Sequence, residues 1–186
     1  GLKLHLDGAR LFNAAAALGV SAGELAGPAD SVTFCLSKGL CAPVGSVLCG
    51  SKTFIKQALR IRKQVGGGMR QAGVLAAAGI VALEQMVDRL PEDHQRARRL
   101  AEGLAVLPEL VMDPGTPFTN MIFCELVPDF PLDAQQVARL LAAHGVRVGA
   151  TAARRFRLVT HYWIDDQAVE LTVAAFAEVL KDGRML

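Results

Sequence analysis

The stretch Ser31-Val32-Thr33-Phe34-Cys35-Leu36-Ser37-Lys38-Gly39-Leu40 decides the fold class of this chain. Residues 32–36 form a short apolar run with β-branched and aromatic side chains, the composition of a strand buried within a sheet. The run stops at the polar Ser37-Lys38-Gly39, and a second run of the same kind covers residues 44–49 after Pro43. Upstream, Leu2, Leu4 and Leu6 alternate with Lys3, His5 and Asp7, the period of a strand with one buried side. Asp7 is the last residue of that strand. Gly8 lets the backbone turn, and residues 10–18 are apolar enough for a packed helix that closes at Gly19. Strand, helix and strand in this order predict an α/β layer with a mixed or mostly parallel sheet, in which Asp7 and Lys38 both stand at strand ends.

The rest of the chain continues in two parts. Ser21-Ala22-Gly23-Glu24 matches a capping box for one further helical turn. Residues 53–64 read as an amphipathic helix with a basic side in water, ended by Gly66-Gly67-Gly68. Three consecutive glycines cost about 1 kcal/mol each against alanine in regular structure, so they mark a sharp turn or a close approach to another backbone or ligand. Helical patterns cover 69–89, including a buried alanine-rich segment at 72–83, and resume at 92–106 with Pro91 at the first helical position. Beyond Pro108, Pro114 and Pro117 the pattern is strand 120–126, helix 132–144, strand 146–148, strand 156–160 and helix 165–181. That order predicts a small α+β domain over 91–186 following a larger α/β domain that ends at 90.

Composition excludes several classes. A hydrophobic fraction of 52% with 20% charged residues describes a core-rich chain rather than a disordered one. A net charge of +2 gives no global field for nucleic acid, and the local run Arg96-Ala97-Arg98-Arg99 reads as a solvated helix face. The longest apolar run, 72–83, is too short to span a membrane. Cys35, Cys41, Cys49 and Cys124 include no Cys-x-x-Cys pair and have no histidine at zinc-finger spacing, so no metal site is expected. They read as buried free thiols in a reducing compartment. The chain opens at Gly1 inside a strand-like pattern and reads as the later part of a longer protein.

Ligands bind at the carboxyl ends of strands in open α/β sheets, which makes Asp7 and Lys38 one candidate site. Taken singly, Asp7-Gly8-Ala9-Arg10 is as compatible with a turn, and Ser37-Lys38-Gly39 with a solvated loop. A lysine held at a strand end with its ammonium partly desolvated favours the neutral amine that attacks carbonyls. Pyridoxal phosphate requires such an amine for its aldehyde and a carboxylate that keeps its ring nitrogen protonated.

Four motifs in order, His5-Leu6-Asp7-Gly8-Ala9-Arg10, Ser37-Lys38-Gly39-Leu40 with Ala42-Pro43-Val44-Gly45-Ser46, Gly66-Gly67-Gly68-Met69-Arg70-Gln71-Ala72-Gly73, and Arg157-Leu158-Val159-Thr160-His161, resemble the threonine aldolases. These belong to the aspartate aminotransferase superfamily of pyridoxal phosphate enzymes, fold type I. The resemblance implies that Lys38 binds the cofactor, that Asp7 partners the pyridine nitrogen, and that Arg10 lies beside the cofactor, contacting its ring oxygen or the substrate carboxylate. It makes Arg157 the arginine of the small domain that grips the substrate α-carboxylate. The implied reaction is cleavage of threonine or allo-threonine, a small amino-acid substrate, to glycine and acetaldehyde. A homo-dimer or tetramer in the cytoplasm is implied as well, with a mitochondrial location open.

Other residues keep two readings. Lys63 and Arg70 flank the glycine turn either as site neighbours or as solvated charges. His5 either stabilises the sheet edge or serves the site, and His161 with Tyr162-Trp163 reads as core or interface packing ahead of catalysis. The family's phosphate loop and ring-stacking histidine lie upstream of a segment like this one, so the chain alone is expected to lack part of the site. Where the family carries glycine, this chain has Cys41; a positive φ there strains the loop by about 1–2 kcal/mol. The same Lys, Asp and Arg set also serves β-elimination and transamination, and a non-catalytic relic acting as an oligomer partner is the third reading.

Overall fold

The structure, a computed structural model, describes residues 1–185 and divides into two compact units, Gly1–Pro91 and a second that begins at Glu92. The first contains β1 (His5–Asp7), α1 (Leu11–Leu18), α2 (Ala22–Ala26), β2 (Ser31–Cys35), β3 (Ser46–Gly50), α3 (Lys52–Gln64) and α4 (Gly73–Gln85). Its sheet has the order β1-β2-β3. The helical crossover through α1 and α2 brings β2 back parallel to β1, with Asp7 opposite Thr33. The loop 36–45 reverses the chain, so β3 runs antiparallel to β2 with Cys35 opposite Ser46. The sheet is mixed.

Local chemistry explains the helix ends. Gly19 closes α1 in a left-handed conformation, φ 68°, with its N–H on the Ala15 carbonyl. At α2 the Glu24 N–H donates to Ser21 Oγ at 3.1 Å and the Ser21 N–H donates to Glu24 Oε2 at 2.8 Å, a complete capping box. The triple glycine lets the chain fold back over the last turn of α3. Gly66 has φ 88°, and a Cβ on Gly67 or Gly68 would come within 2.6 Å of Arg62 Cγ or 2.7 Å of Lys63 Nζ.

Strand alternation gives this sheet two unlike faces. Phe34 and Val47 face a core of Leu36, Leu40, Ala42, Ala82 and Leu90, and Phe34 meets Phe12 edge-on at 5.2 Å. His5, Asp7, Ser31, Thr33 and Cys35 share the other, polar face. Two expectations change here. Leu2 and Leu4 precede β1 and are exposed, because the core begins only after the strand does. The alanine-rich α4 buries only Gly79 and Ala82, leaving Val74 71% and Ile80 55% exposed. A helix apolar on every side meets a core on one side only in this unit.

The second unit comprises most of α5 (Leu90–Ala105), then β4 (Leu110–Met112), β5 (Met121–Leu126), α6 (Ala134–Ala143), β6 (Gly149–Ala150), β7 (Arg155–Val159) and α7 (Asp166–Gly183). The four strands form an antiparallel sheet in the order β4-β5-β7-β6. Ile122, Cys124 and Leu126 alternate inward from β5 and Phe156 and Leu158 from β7, packing with Val137, Leu141, Phe176 and Leu180. Phe156 and Phe176 meet edge-on at 5.6 Å. The strand expected at 146–148 forms instead at Gly149–Ala150, where pairing with β7 determines the register. β4 was not foreseen, being three residues long among prolines.

A buried polar latch closes the end of β7. The Thr160 N–H donates to the Asn120 carbonyl at 3.0 Å, Asn120 Nδ2 donates to the Thr160 carbonyl at 2.8 Å, and Thr160 Oγ1 donates to the Asp93 carbonyl at 2.6 Å. Among the described residues no helix is long and apolar enough to cross a membrane.

Candidate cofactor and substrate site

Asp7 is the last residue of β1 and Lys38 follows the end of the neighbouring parallel strand β2, so both stand at the carboxyl edge of one parallel pair. Asp7 is exposed and makes no hydrogen bond or ion pair among the described residues. Its position is determined by the backbone behind it: the Gly8 N–H donates to the Thr33 carbonyl at 2.7 Å, and the Leu11 N–H donates to the Gly8 carbonyl at 2.7 Å. A carboxylate without a protein cation is a fitting partner for a protonated ring nitrogen.

Lys38 sits on a loop closed by backbone hydrogen bonds. The Cys41 N–H donates to the Lys38 carbonyl at 2.9 Å, the Ala42 N–H to the Leu36 carbonyl at 3.0 Å, and the Leu36 N–H to the Gly45 carbonyl at 2.9 Å. Leu36, Leu40 and Ala42 anchor the loop in the core. Gly39 is needed beside the lysine, because a Cβ there would come within 2.9 Å of Leu90 Cδ2 and 3.2 Å of Asn13 Oδ1. The side chain of Lys38 is exposed and makes no hydrogen bond or ion pair among the described residues, which corrects the expectation of a partly desolvated amine. Burial is confined to the loop's apolar residues and backbone.

Cys41 has φ 60°, the left-handed conformation that its side chain disfavours, and its thiol donates to the Gly39 carbonyl at 3.5 Å. It is exposed, not buried as expected. Cys35 and Cys49 are half-buried, and only Cys124 is fully buried, where desolvation pushes its thiol up to about 12.

The remaining candidates separate clearly. Arg10 is half-buried at the N-cap of α1, one turn from Asp7. His5 bridges β1 and β2 on the Asp7 face, with Nδ1 2.8 Å from Ser31 Oγ and Nε2 3.3 Å from Thr33 Oγ1, which favours the structural reading. Lys63 lies under Gly68. Arg70 is exposed.

In the second unit Arg157 is exposed between buried Phe156 and Leu158, opposite Phe123 on β5 and Gly149 on β6. Its neighbours are already engaged. Arg155 donates to Glu125 at 2.7 Å and to Asp113 and lies over the Phe123 ring at 5.3 Å, and Arg154 donates to the Leu126, Val127 and Phe130 carbonyls. Arg157 has no such partner among the described residues and lines a cavity of about 370 Å³ with Arg147, Thr160 and His161. His161 accepts from the Trp163 N–H at 3.3 Å; Tyr162 and Trp163 are exposed, which removes the core reading of that pair. Sequence reasoning passed over Arg147, which precedes β6 by two residues and lines the same cavity as Arg157.

A mixed sheet with an acid and a lysine at adjacent carboxyl edges, followed by an α+β unit carrying an unengaged arginine, has the architecture of fold type I pyridoxal phosphate enzymes. Residues 1–126 match the family described as Beta-eliminating lyase, and the chain belongs to that family. It is 44% identical over 180 residues to low-specificity L-threonine aldolase 1 of Arabidopsis thaliana, covering 97% of this chain and 50% of that protein. It is 46% identical over 160 residues to the low specificity L-threonine aldolase of Escherichia coli K12, covering 86% of this chain and 46% of that protein. The chain thus spans about half the length of these curated relatives. A crystal structure from Listeria monocytogenes, of a candidate L-allo-threonine aldolase, matches with TM-score 0.80 at 21% identity, covering 96% of this chain and 52% of that one.

Proposed function

We propose that the whole protein is a pyridoxal phosphate aldolase that cleaves threonine and allo-threonine to glycine and acetaldehyde, working as a homo-dimer or tetramer. The observation that carries this reading is Asp7 and Lys38 at neighbouring carboxyl edges of a parallel strand pair, in a chain 46% identical to the Escherichia coli enzyme. The first unit then supplies the later part of the cofactor-bearing domain and the second the small domain.

In this reading Lys38 Nζ holds the cofactor aldehyde, Asp7 holds a proton on its ring nitrogen, and Arg10 stands at the same strand end to contact ring oxygen or substrate. Arg157 grips the substrate α-carboxylate through two parallel hydrogen bonds, which the planar guanidinium is shaped for. When bound, pyridoxal phosphate supplies an electron sink for the pair left on Cα as the Cα–Cβ bond breaks. The β-hydroxyl loses its proton as the aldehyde leaves, and Cα gains one to give glycine.

The full-length protein carrying Lys38→Ala tests this. The intact protein should show a visible cofactor band, become labelled at Lys38 on borohydride reduction, and release acetaldehyde from allo-threonine. The variant should lose the label and slow cleavage by on the order of a thousandfold or more, as expected when a covalent catalytic group is removed. An undiminished rate would refute the assignment, and release of ammonia and a keto acid in place of acetaldehyde would indicate β-elimination.

A further inference from the structure

Four arginines, Arg147, Arg154, Arg155 and Arg157, lie in or beside β6 and β7, and two are consumed by the fold. Arg154 is held by backbone carbonyls and Arg155 by Asp113 and Glu125. The other two, Arg147 and Arg157, have no hydrogen-bond or ion-pair partner among the described residues, and both line the same cavity of about 370 Å³. No aspartate or glutamate lines it; the other polar side chains there are Thr160, His161 and Thr172, among walls such as Leu158 and Leu171. Each guanidinium offers a planar fork of donors that matches a carboxylate. One substrate carboxylate satisfies one of them.

We infer that Arg147 is a second anion-binding residue of this cavity, and that the enzyme accepts β-hydroxy amino acids whose β-carbon bears a further carboxylate. This rests on the reading of Arg157 as the α-carboxylate anchor. The smallest such substrate is 3-hydroxyaspartate. Its cleavage follows the same balance: the Cα–Cβ bond breaks, the β-hydroxyl gives up its proton as the carbonyl forms, and Cα takes one, yielding glycine and glyoxylate with no added oxidant or reductant. The cation that answers the additional charge is Arg147, two residues before the glycine paired with Arg157.

The test uses the full-length, cofactor-loaded protein with Arg147→Leu and Arg147→Lys. The ratio of kcat/KM for 3-hydroxyaspartate to that for threonine should fall about tenfold or more in Arg147→Leu, the range of a lost charged hydrogen bond, chiefly through KM. Arg147→Lys should recover part of it. A ratio unchanged within about twofold overturns the proposal, because a merely structural loss affects both substrates alike. Calorimetric titration with succinate and propionate gives a readout independent of cleavage. Tighter binding of succinate that disappears in Arg147→Leu supports the proposal even if threonine is not cleaved, whereas equal behaviour of the two acids overturns it. Failure of the aldolase reading is thereby separated from failure of this one.

Discussion

At the scale of single residues, Cys41 is one of two non-glycine residues, with Gln71, that take a positive φ among the described residues. With φ at 60° beside the Lys38 turn, Cys41→Gly should stabilise the fold by about 1–2 kcal/mol, less any loss from the greater freedom of glycine in the unfolded chain. Urea unfolding of the two forms, compared by midpoint at equal slope, checks this. The question of a positive φ was raised by the resemblance, which places glycine where this chain has Cys41, and the backbone there does take one. Asp7 and Lys38 could be placed at strand ends from the alternation and the apolar run that precede them, whereas Arg157, in the middle of β7, was singled out only by the resemblance of its motif. The exposure of Lys38 was not legible, because burial depends on what lies around a residue rather than on its own neighbours in the chain. Arg147 was missed because its relevance appears only when Gly149 is known to pair with Arg157.

Among the elements, helices were read closely where a cap marks them. Ser21 and Glu24 announce α2, and Asp133 with Gln136 forms a second complete capping box at α6. The strands of the second unit were harder to bound: β6 slid by three residues from its expected start, since glycine suggests a break while the ladder to β7 recruits it. Its core is filled by alternate residues of β5 and β7. Phe156 is fully buried there, and Phe156→Ala should cost about 3–5 kcal/mol by combined loss of transfer energy, cavity formation and the edge contact with Phe176. Thermal unfolding followed by circular dichroism would register it as a large drop in midpoint, and a change below about 1 kcal/mol would contradict the packing described.

For the molecule as a whole, each unit has its own core, but the first leaves much apolar surface uncovered. Val74, Ile80 and Val81 on α4 and Phe54, Ile61 and Val65 on or beside α3 are exposed together with a row of lysines and arginines. Large apolar side chains left exposed on two helices favour association. The 186-residue chain, made on its own, should therefore sediment with a mass that rises with concentration, and Ile80→Glu with Val81→Lys should reduce that rise. A concentration-independent monomer would show that these side chains are tolerated in water. The exposure of α4 lay outside what periodicity reveals, because an all-apolar helix looks the same in sequence whether one side or every side is covered.

Trp163 is the only tryptophan, stands 79% exposed, and touches the Tyr162 ring edge-on at 5.1 Å. Its indole already emits from a watery setting in the folded chain, so intrinsic fluorescence is a poor gauge of denaturation here. The same property makes it a sensitive optical probe of docking: any body that comes to rest over the turn after β7 will shift the emission toward the blue.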